Sequence, residues 1–224
     1  MAVRLTLAVL AALAVSSSGG EIDRLPTRAK IVALTFDAGG NDAGAARLVR
    51  TLERDHVRAT FFLTGRFART YPRLARTLGR RFAIGNHTYS HPNLTGLPSP
   101  LVRQEIQRGA FWIRAKTGRD PRPLFRFPYG ARDARTIAIA RSLGYADVYW
   151  STDTWGWMGS PAQSRAGVVH RVLERVRPGE IVLMHVGASR DGSTLDAAAL
   201  PTVIRDLRAR GYRFVTLRPW VRRA

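Results

Sequence analysis

The chain has 224 residues, 45% hydrophobic and 23% charged, enough apolar material for one folded domain with a sizeable core. It contains no cysteine, which excludes disulfides and thiolate metal sites and leaves His, Asp, Glu or Asn to hold a metal. Thirty-six basic residues against 16 acidic give a net charge of +20, which favours an anionic partner such as a wall polymer, an anionic lipid or nucleic acid.

Residues 1–19 read as a secretory signal peptide. One arginine precedes the apolar run LTLAVLAALAV, and the small residues SSSGG follow it, with cleavage expected between Ser16 and Gly20. The run is about half the ~20 residues of a membrane span, so membrane attachment would arise only if the signal stayed uncleaved. Export argues against nucleic acid as a partner, and the arginines form no block of five or six.

A single catalytic domain is expected over residues 30–218, built of alternating strands and helices. The first strand, Ile31–Phe36, ends in Asp37, and Ala38-Gly39-Gly40 then turns the chain. An acid there could activate a water or cap the turn. A helix over Ala43–Asp55, a strand over Ala59–Leu63 and a helix over Thr70–Leu78 follow. The strand Phe82–Asn86 runs into His87-Thr-Tyr-Ser-His91, two imidazoles four positions apart that can converge on a helix face or in a tight loop. A helix over Ser99–Thr117 leads to the strand Leu124–Phe127, whose Arg126 could pin a carboxylate through a bidentate contact. The turn Pro128-Tyr129-Gly130 could aim the Tyr129 N–H at a developing oxyanion.

Next come a helix over Ala134–Leu143 and a strand over Ala146–Trp150. Asp153 and Trp157 lie just beyond, as an acid beside aromatic surface. A helix over Ser164–Val176 precedes the strand Glu180–His185, which carries Leu183 and ends in a histidine suited to general acid work, with Asp153 able to orient it. The helix Leu195–Arg210 and the strand Arg213–Leu217 complete the domain. The remaining histidines, His56 and His170, lie in or beside helices and read as ordinary packing or surface residues. Strand–helix alternation implies an α/β fold with a mainly parallel sheet, either a barrel or an open doubly wound sheet. Asp37, His87, His91, Arg126, Tyr129, Asp153, Trp157 and His185 all follow or end strands, where active sites of parallel α/β folds sit.

These segments, in this order, resemble the polysaccharide deacetylase family, also described as the NodB-homology domain or carbohydrate esterase family 4, over Lys30 to Leu217. The resemblance implies a distorted (β/α) barrel of about seven parallel strands. It implies Asp37 as catalytic base, His87 and His91 as ligands of a divalent metal such as zinc, and Arg126 holding the base. It further implies the Tyr129 N–H at the oxyanion, Asp153 as partner of a general acid His185, and Trp157 and Leu183 shaping the acetyl pocket.

One position departs from the pattern: the aspartate that follows the base and ligates the metal is here Ala38. Asn41 or Asp42 could reach in, Asp37 could coordinate the metal itself, or water and substrate could complete the shell. The implied activity is N-deacetylation of a peptidoglycan or chitin-like polysaccharide by a secreted or cell-wall enzyme. An O-acetyl esterase of the xylan type and a non-catalytic, basic wall-binding module are the rival readings.

Overall fold

The computed structural model describes residues 21–221, so the expected signal peptide lies outside the described residues. Among the described residues, eight strands form one sheet: β1 (Ile31–Ala38), β2 (Ala59–Leu63), β3 (Ala83–Asn86), β4 (Leu124–Phe125), β5 (Ala146–Asp147), β6 (Thr152–Asp153), β7 (Glu180–His185) and β8 (Arg213–Phe214). Seven of them follow the order β5-β4-β3-β2-β1-β7-β6, and β8 pairs with the start of β1. Every ladder is parallel. The result is the distorted barrel the sequence implies, open between β5 and β6.

Residues 22–25 fill that opening. Ile22 bridges Val148 beyond β5, and Arg24 bridges Glu180 of β7. The Leu25 N–H donates to the Gly179 carbonyl at 2.8 Å, and the Leu25 side chain is buried in the barrel interior.

The central strand β1, IVALTFDA, is buried along its whole length, as a parallel strand covered on both faces must be. Alternation sends Val32, Leu34, Phe36 and Ala38 outward, against Leu48, Leu52, Val203 and Leu207 of the surrounding helices. It sends Ile31 and Ala33 inward, against Phe62, Leu124, Val148, Ile181 and Leu217. Thr35 and Asp37 continue that inner face, so an apolar plug fills the barrel below Asp37.

Seven α-helices of the described residues cover the outside: α1 (Ala45–Arg54), α2 (Gly65–Thr70), α3 (Pro72–Arg81), α4 (Ser99–Thr117), α5 (Ala134–Ser142), α6 (Arg165–Leu173) and α7 (Leu195–Ala209). The sequence did not announce α2 or β6. The six-residue α2 is too short for a periodic signal, and the two residues of β6 are defined by pairing with β7 at Thr152↔Val182 and Asp153↔Leu183. No helix among the described residues is long and apolar enough to cross a membrane.

The edge strand β5 carries Asp147, 3.0 Å from Arg132 Nε. Burial pushes its carboxyl from the usual 3.8 up to about 6, only partly opposed by Arg132. A raised folded value means that the folded state prefers the proton. This contribution is therefore full below pH 3.8 and lost as pH rises through about 6. We expect urea denaturation of Asp147→Asn against wild type to show the wild type losing about 2–3 kcal/mol relative to the variant across that window. Parallel stability curves would show that the strand edge does not perturb Asp147.

Candidate active site

Asp37 and His185 stand side by side at the C-terminal ends of β1 and β7. They are register partners on adjacent parallel strands, and the Val186 N–H donates to the Asp37 carbonyl at 3.0 Å. Arg126, fully buried at 0% exposure, reaches the same point from beyond β4. Its Nη1 donates to Asp37 Oδ1 at 2.8 Å and to Thr35 Oγ1 at 2.9 Å. Its Nε and Nη2 donate to the carbonyls of Val148 and Tyr149 at 3.2 and 3.0 Å. The contact to Asp37 thus runs through one guanidinium nitrogen, not two as the sequence suggested, because the other donors bind backbone.

The guanidinium also lies 4.2 Å from the Phe62 ring centroid, at the top of the apolar plug. Burial raises the Asp37 carboxyl, but Arg126, His87 and His185 outweigh it, so its pKa is lowered and Asp37 is ionised at neutral pH. Arg126→Met leaves that carboxylate buried without its cation. We expect a loss of about 3–5 kcal/mol in urea denaturation at pH 7. The difference shrinks in acid, because a lowered folded pKa gives stability that is present above 3.8 and lost as pH falls below it. A variant of unchanged stability would mean that Arg126 does not hold Asp37.

His87 and His91 sit in a loop rather than on a helix, and three anchors hold that loop. Asn86 Oδ1 accepts the Thr88 N–H at 3.0 Å. Amides at the start of α2, Gly65 and Arg66, donate to the carbonyls of Thr88 and Tyr89, each at 2.9 Å. From α4, Glu105 accepts the N–H groups of Tyr89 and Ser90 at 3.1 and 2.8 Å. Gly109 of α4 makes the fit possible, since a Cβ there would lie 2.6 Å from Asn86 Oδ1. Asn86, Glu105 and Gly109 carry no motif, and sequence reading missed them.

The His87 Nδ1 contacts the Arg126 carbonyl at 2.7 Å, which fixes the proton on Nδ1 and leaves the Nε2 lone pair free, 3.4 Å from Asp37 Oδ2. The two imidazole centroids are 4.6 Å apart, and His91 is equally far from the Tyr129 ring. Burial is the main force pulling both imidazoles down, His91 to about 4, so both are neutral at pH 7. Thr88, His91, Tyr129 and Trp155 all have positive φ, between 58° and 69°. Non-glycine residues seldom adopt this conformation, and such strain gathers at functional sites.

Around His185 the arrangement departs from the expectation in one respect. Asp153 does not hydrogen-bond to it. Its carboxylate accepts the Trp155 N–H at 2.9 Å and Trp157 Nε1–H at 3.3 Å. The carboxylate beside the His185 ring is Asp196, at the start of α7, with Oδ2 3.8 Å from His185 Nδ1. Burial lowers the His185 imidazole, but Asp196, Asp37 and Asp153 together outweigh it, and its pKa is raised. Leu183 is buried and shares the inner face of β7 with His185, two residues away. Trp157 and Tyr129 are exposed, at 53% and 70%, and are available to a ligand.

The polysaccharide deacetylase model matches residues 24–148. The chain is 30% identical over 203 residues to a chitooligosaccharide deacetylase from Azorhizobium caulinodans, covering 86% of this chain and 95% of that one. It is 34% identical over 189 residues to a peptidoglycan-N-acetylglucosamine deacetylase from Bacillus cereus, covering 83% of this chain and 66% of that one. The chain belongs to the polysaccharide deacetylase family. Its place is thus in a family of hydrolytic deacetylases, whose relatives named above are deacetylases of chitooligosaccharide and of peptidoglycan. The fold also superposes, with TM-score 0.82 and 29% identity over 91% of this chain and 69% of the other, on a CE4-family pseudoenzyme from Bacillus anthracis. A mutant of that pseudoenzyme with restored enzymatic activity matches equally well, with TM-score 0.82.

Judged as a polysaccharide deacetylase metal centre, the site offers two good donors. Neutral His87, with its Nε2 free, and neutral His91 suit a divalent ion. Among the described residues, no group of three or more His, Asp or Glu side chains has a geometry that could hold a metal. Ala38 is fully buried and supplies no oxygen. Asn41 does not replace it: its side chain binds the Ala188 N–H and carbonyl, at 2.8 and 3.2 Å, and the Ala43 N–H at 3.1 Å. Asp42 is exposed to solvent.

Proposed function

We propose that the protein is an exported deacetylase that hydrolyses N-acetyl groups on N-acetylglucosamine-type residues of a cell-wall or chitin-like polymer. The carrying observation is the in-register pair Asp37 and His185, with Arg126 and His87 Nε2 against the carboxylate. Their pKa values are displaced in opposite directions, Asp37 down and His185 up. That favours an ionised Asp37 to take a proton from water and the protonated form of His185, which gives one to the departing sugar amine.

Arg126 keeps the Asp37 carboxylate from turning away. The Tyr129 N–H faces the tetrahedral oxyanion, where a placed donor is worth about 3 kcal/mol. Leu183 and Trp157 wall the acetyl group. His87 and His91 would hold a divalent ion, with zinc the ion that two imidazoles suit; when bound, it polarises the carbonyl and lowers the pKa of water. Products are acetate and a free amine on the sugar.

Ala38 favours one rival reading, a wall-binding module that no longer turns over. Acetate release in the presence of added Zn²⁺ or Co²⁺ decides between them, measured on peptidoglycan, acetylated chitooligosaccharides and acetylxylan. Release from the first two supports N-deacetylation, and release from acetylxylan alone turns the assignment to an ester. No acetate from any substrate, with folded protein, leaves the binding module.

A further inference from the structure

Asp196 enters the site from α7, an element that carries none of the residues so far given a catalytic role. It is buried, at 3% exposure. Oδ1 accepts the Thr154 hydroxyl at 2.7 Å and Oδ2 accepts the His185 backbone N–H at 2.8 Å, so its carboxylate is fixed at both oxygens. Beside it, His185 Nδ1 is buried and has no hydrogen-bond partner. A buried polar nitrogen left in that state is costly, and a modest turn about the soft χ2 torsion of the ring closes the 3.8 Å gap to Oδ2.

The space the carboxylate occupies is made by Gly156. A Cβ built on Gly156 would lie 2.5 Å from Asp196 Cγ, so any side chain there would expel Asp196. Asp153, the other acid near His185, has both oxygens taken by tryptophan N–H groups.

We propose that Asp196 is the positioning residue of His185, admitted to the site by the missing side chain at Gly156. It holds the proton on Nδ1, so that Nε2 is the nitrogen that hands a proton to the leaving amine. An imidazole in the wrong tautomer cannot do this, and replacing the equivalent aspartate in serine protease triads costs about 10⁴-fold in kcat. The charged and titratable groups facing His185 are Asp37, Asp153, Asp196, His87 and His91. Of these, Asp196 alone combines contact with the His185 main chain and proximity to Nδ1.

The proposal rests on the hydrolase reading for its kinetic consequence but not for its spectroscopic one. The ¹⁵N shifts of the His185 ring in the intact protein, taken at a pH high enough for the imidazole to be neutral, should report Nδ1–H in the wild type. In Asp196→Asn and Gly156→Ala that proton should be lost or shared with Nε2, whereas Asp153→Asn should keep it in place. On a substrate the wild type deacetylates, Asp196→Asn should lower kcat at least about 100-fold with KM unchanged. Gly156→Ala, which changes no charge and keeps Asp196, should lower kcat in the same direction. A wild-type tautomer that persists in both Asp196→Asn and Gly156→Ala overturns the proposal, as does its loss in Asp153→Asn alone. If the wild type releases no acetate, the hydrolase reading fails, and the ring shifts still decide whether Asp196 sets the tautomer.

Discussion

Asp37→Asn is expected to lower kcat for acetate release by about 10²–10⁴-fold, the usual contribution of a placed general base. The amide keeps the shape of the side chain and can still accept from Arg126 Nη1, so the loop and the guanidinium stay in place. What is lost is a proton acceptor whose ionised form burial disfavours and the Arg126 guanidinium favours. KM should change little, because the carboxylate acts on water rather than on the sugar. Acetate release beside a thermal melt checks both halves. Near wild-type turnover in a folded variant would remove Asp37 from the role of base.

Ala38→Asp is expected to have the second large effect, on metal affinity. Position 38 ends β1 between Asp37, which lies 3.4 Å from His87 Nε2, and Gly39, where a Cβ would lie 3.8 Å from His91 Cδ2. A carboxylate there would turn a two-histidine site into a three-ligand one. Calorimetric titration with Zn²⁺ or Co²⁺ should show at least a tenfold gain, since even outer partners of metal ligands are worth 10–100-fold. Without metal, the same buried carboxylate costs about 1–3 kcal/mol and the melting temperature falls. Added metal should restore it by binding the folded state alone. Equal metal affinity in the two forms would mean that position 38 does not address the ion, and a gain that survives His87→Ala would place the metal elsewhere.

The elements that sequence reading recovers are those whose signal is local. β1, β2 and β7 are apolar runs buried along nearly their whole length, and their ends fall within two residues of expectation. β4, β5 and β8 shrink to two residues each, because ladder pairing, not apolar content, decides where a strand stops. The chemistry-bearing residues were legible because strand ends concentrate them. Their supports were not. Glu105 reads as a lone acid on a helix, yet it ties down the histidine loop from 15 and 16 positions away. Asp196 reads as an acid suited to the first turn of a helix, which hides its contacts to Thr154 and His185. Gly156 reads as a turn residue, and only the fold shows whose carboxylate needs its empty space.

The strap at residues 22–25 has a consequence for how the molecule assembles. Arg24 Nη1 reaches Glu180 Oε2 at 2.5 Å across 156 positions of chain, and Ile22 joins Val148 from almost as far. Contacts of such long sequence separation form after the loop entropy between their ends has been paid. The β1–β7 and β1–β8 ladders span similar lengths of chain, so the strap and the central sheet share one long-range closure. Closing the barrel thus joins the first described residues to the middle of the chain at Val148 and to the start of β7 at Glu180.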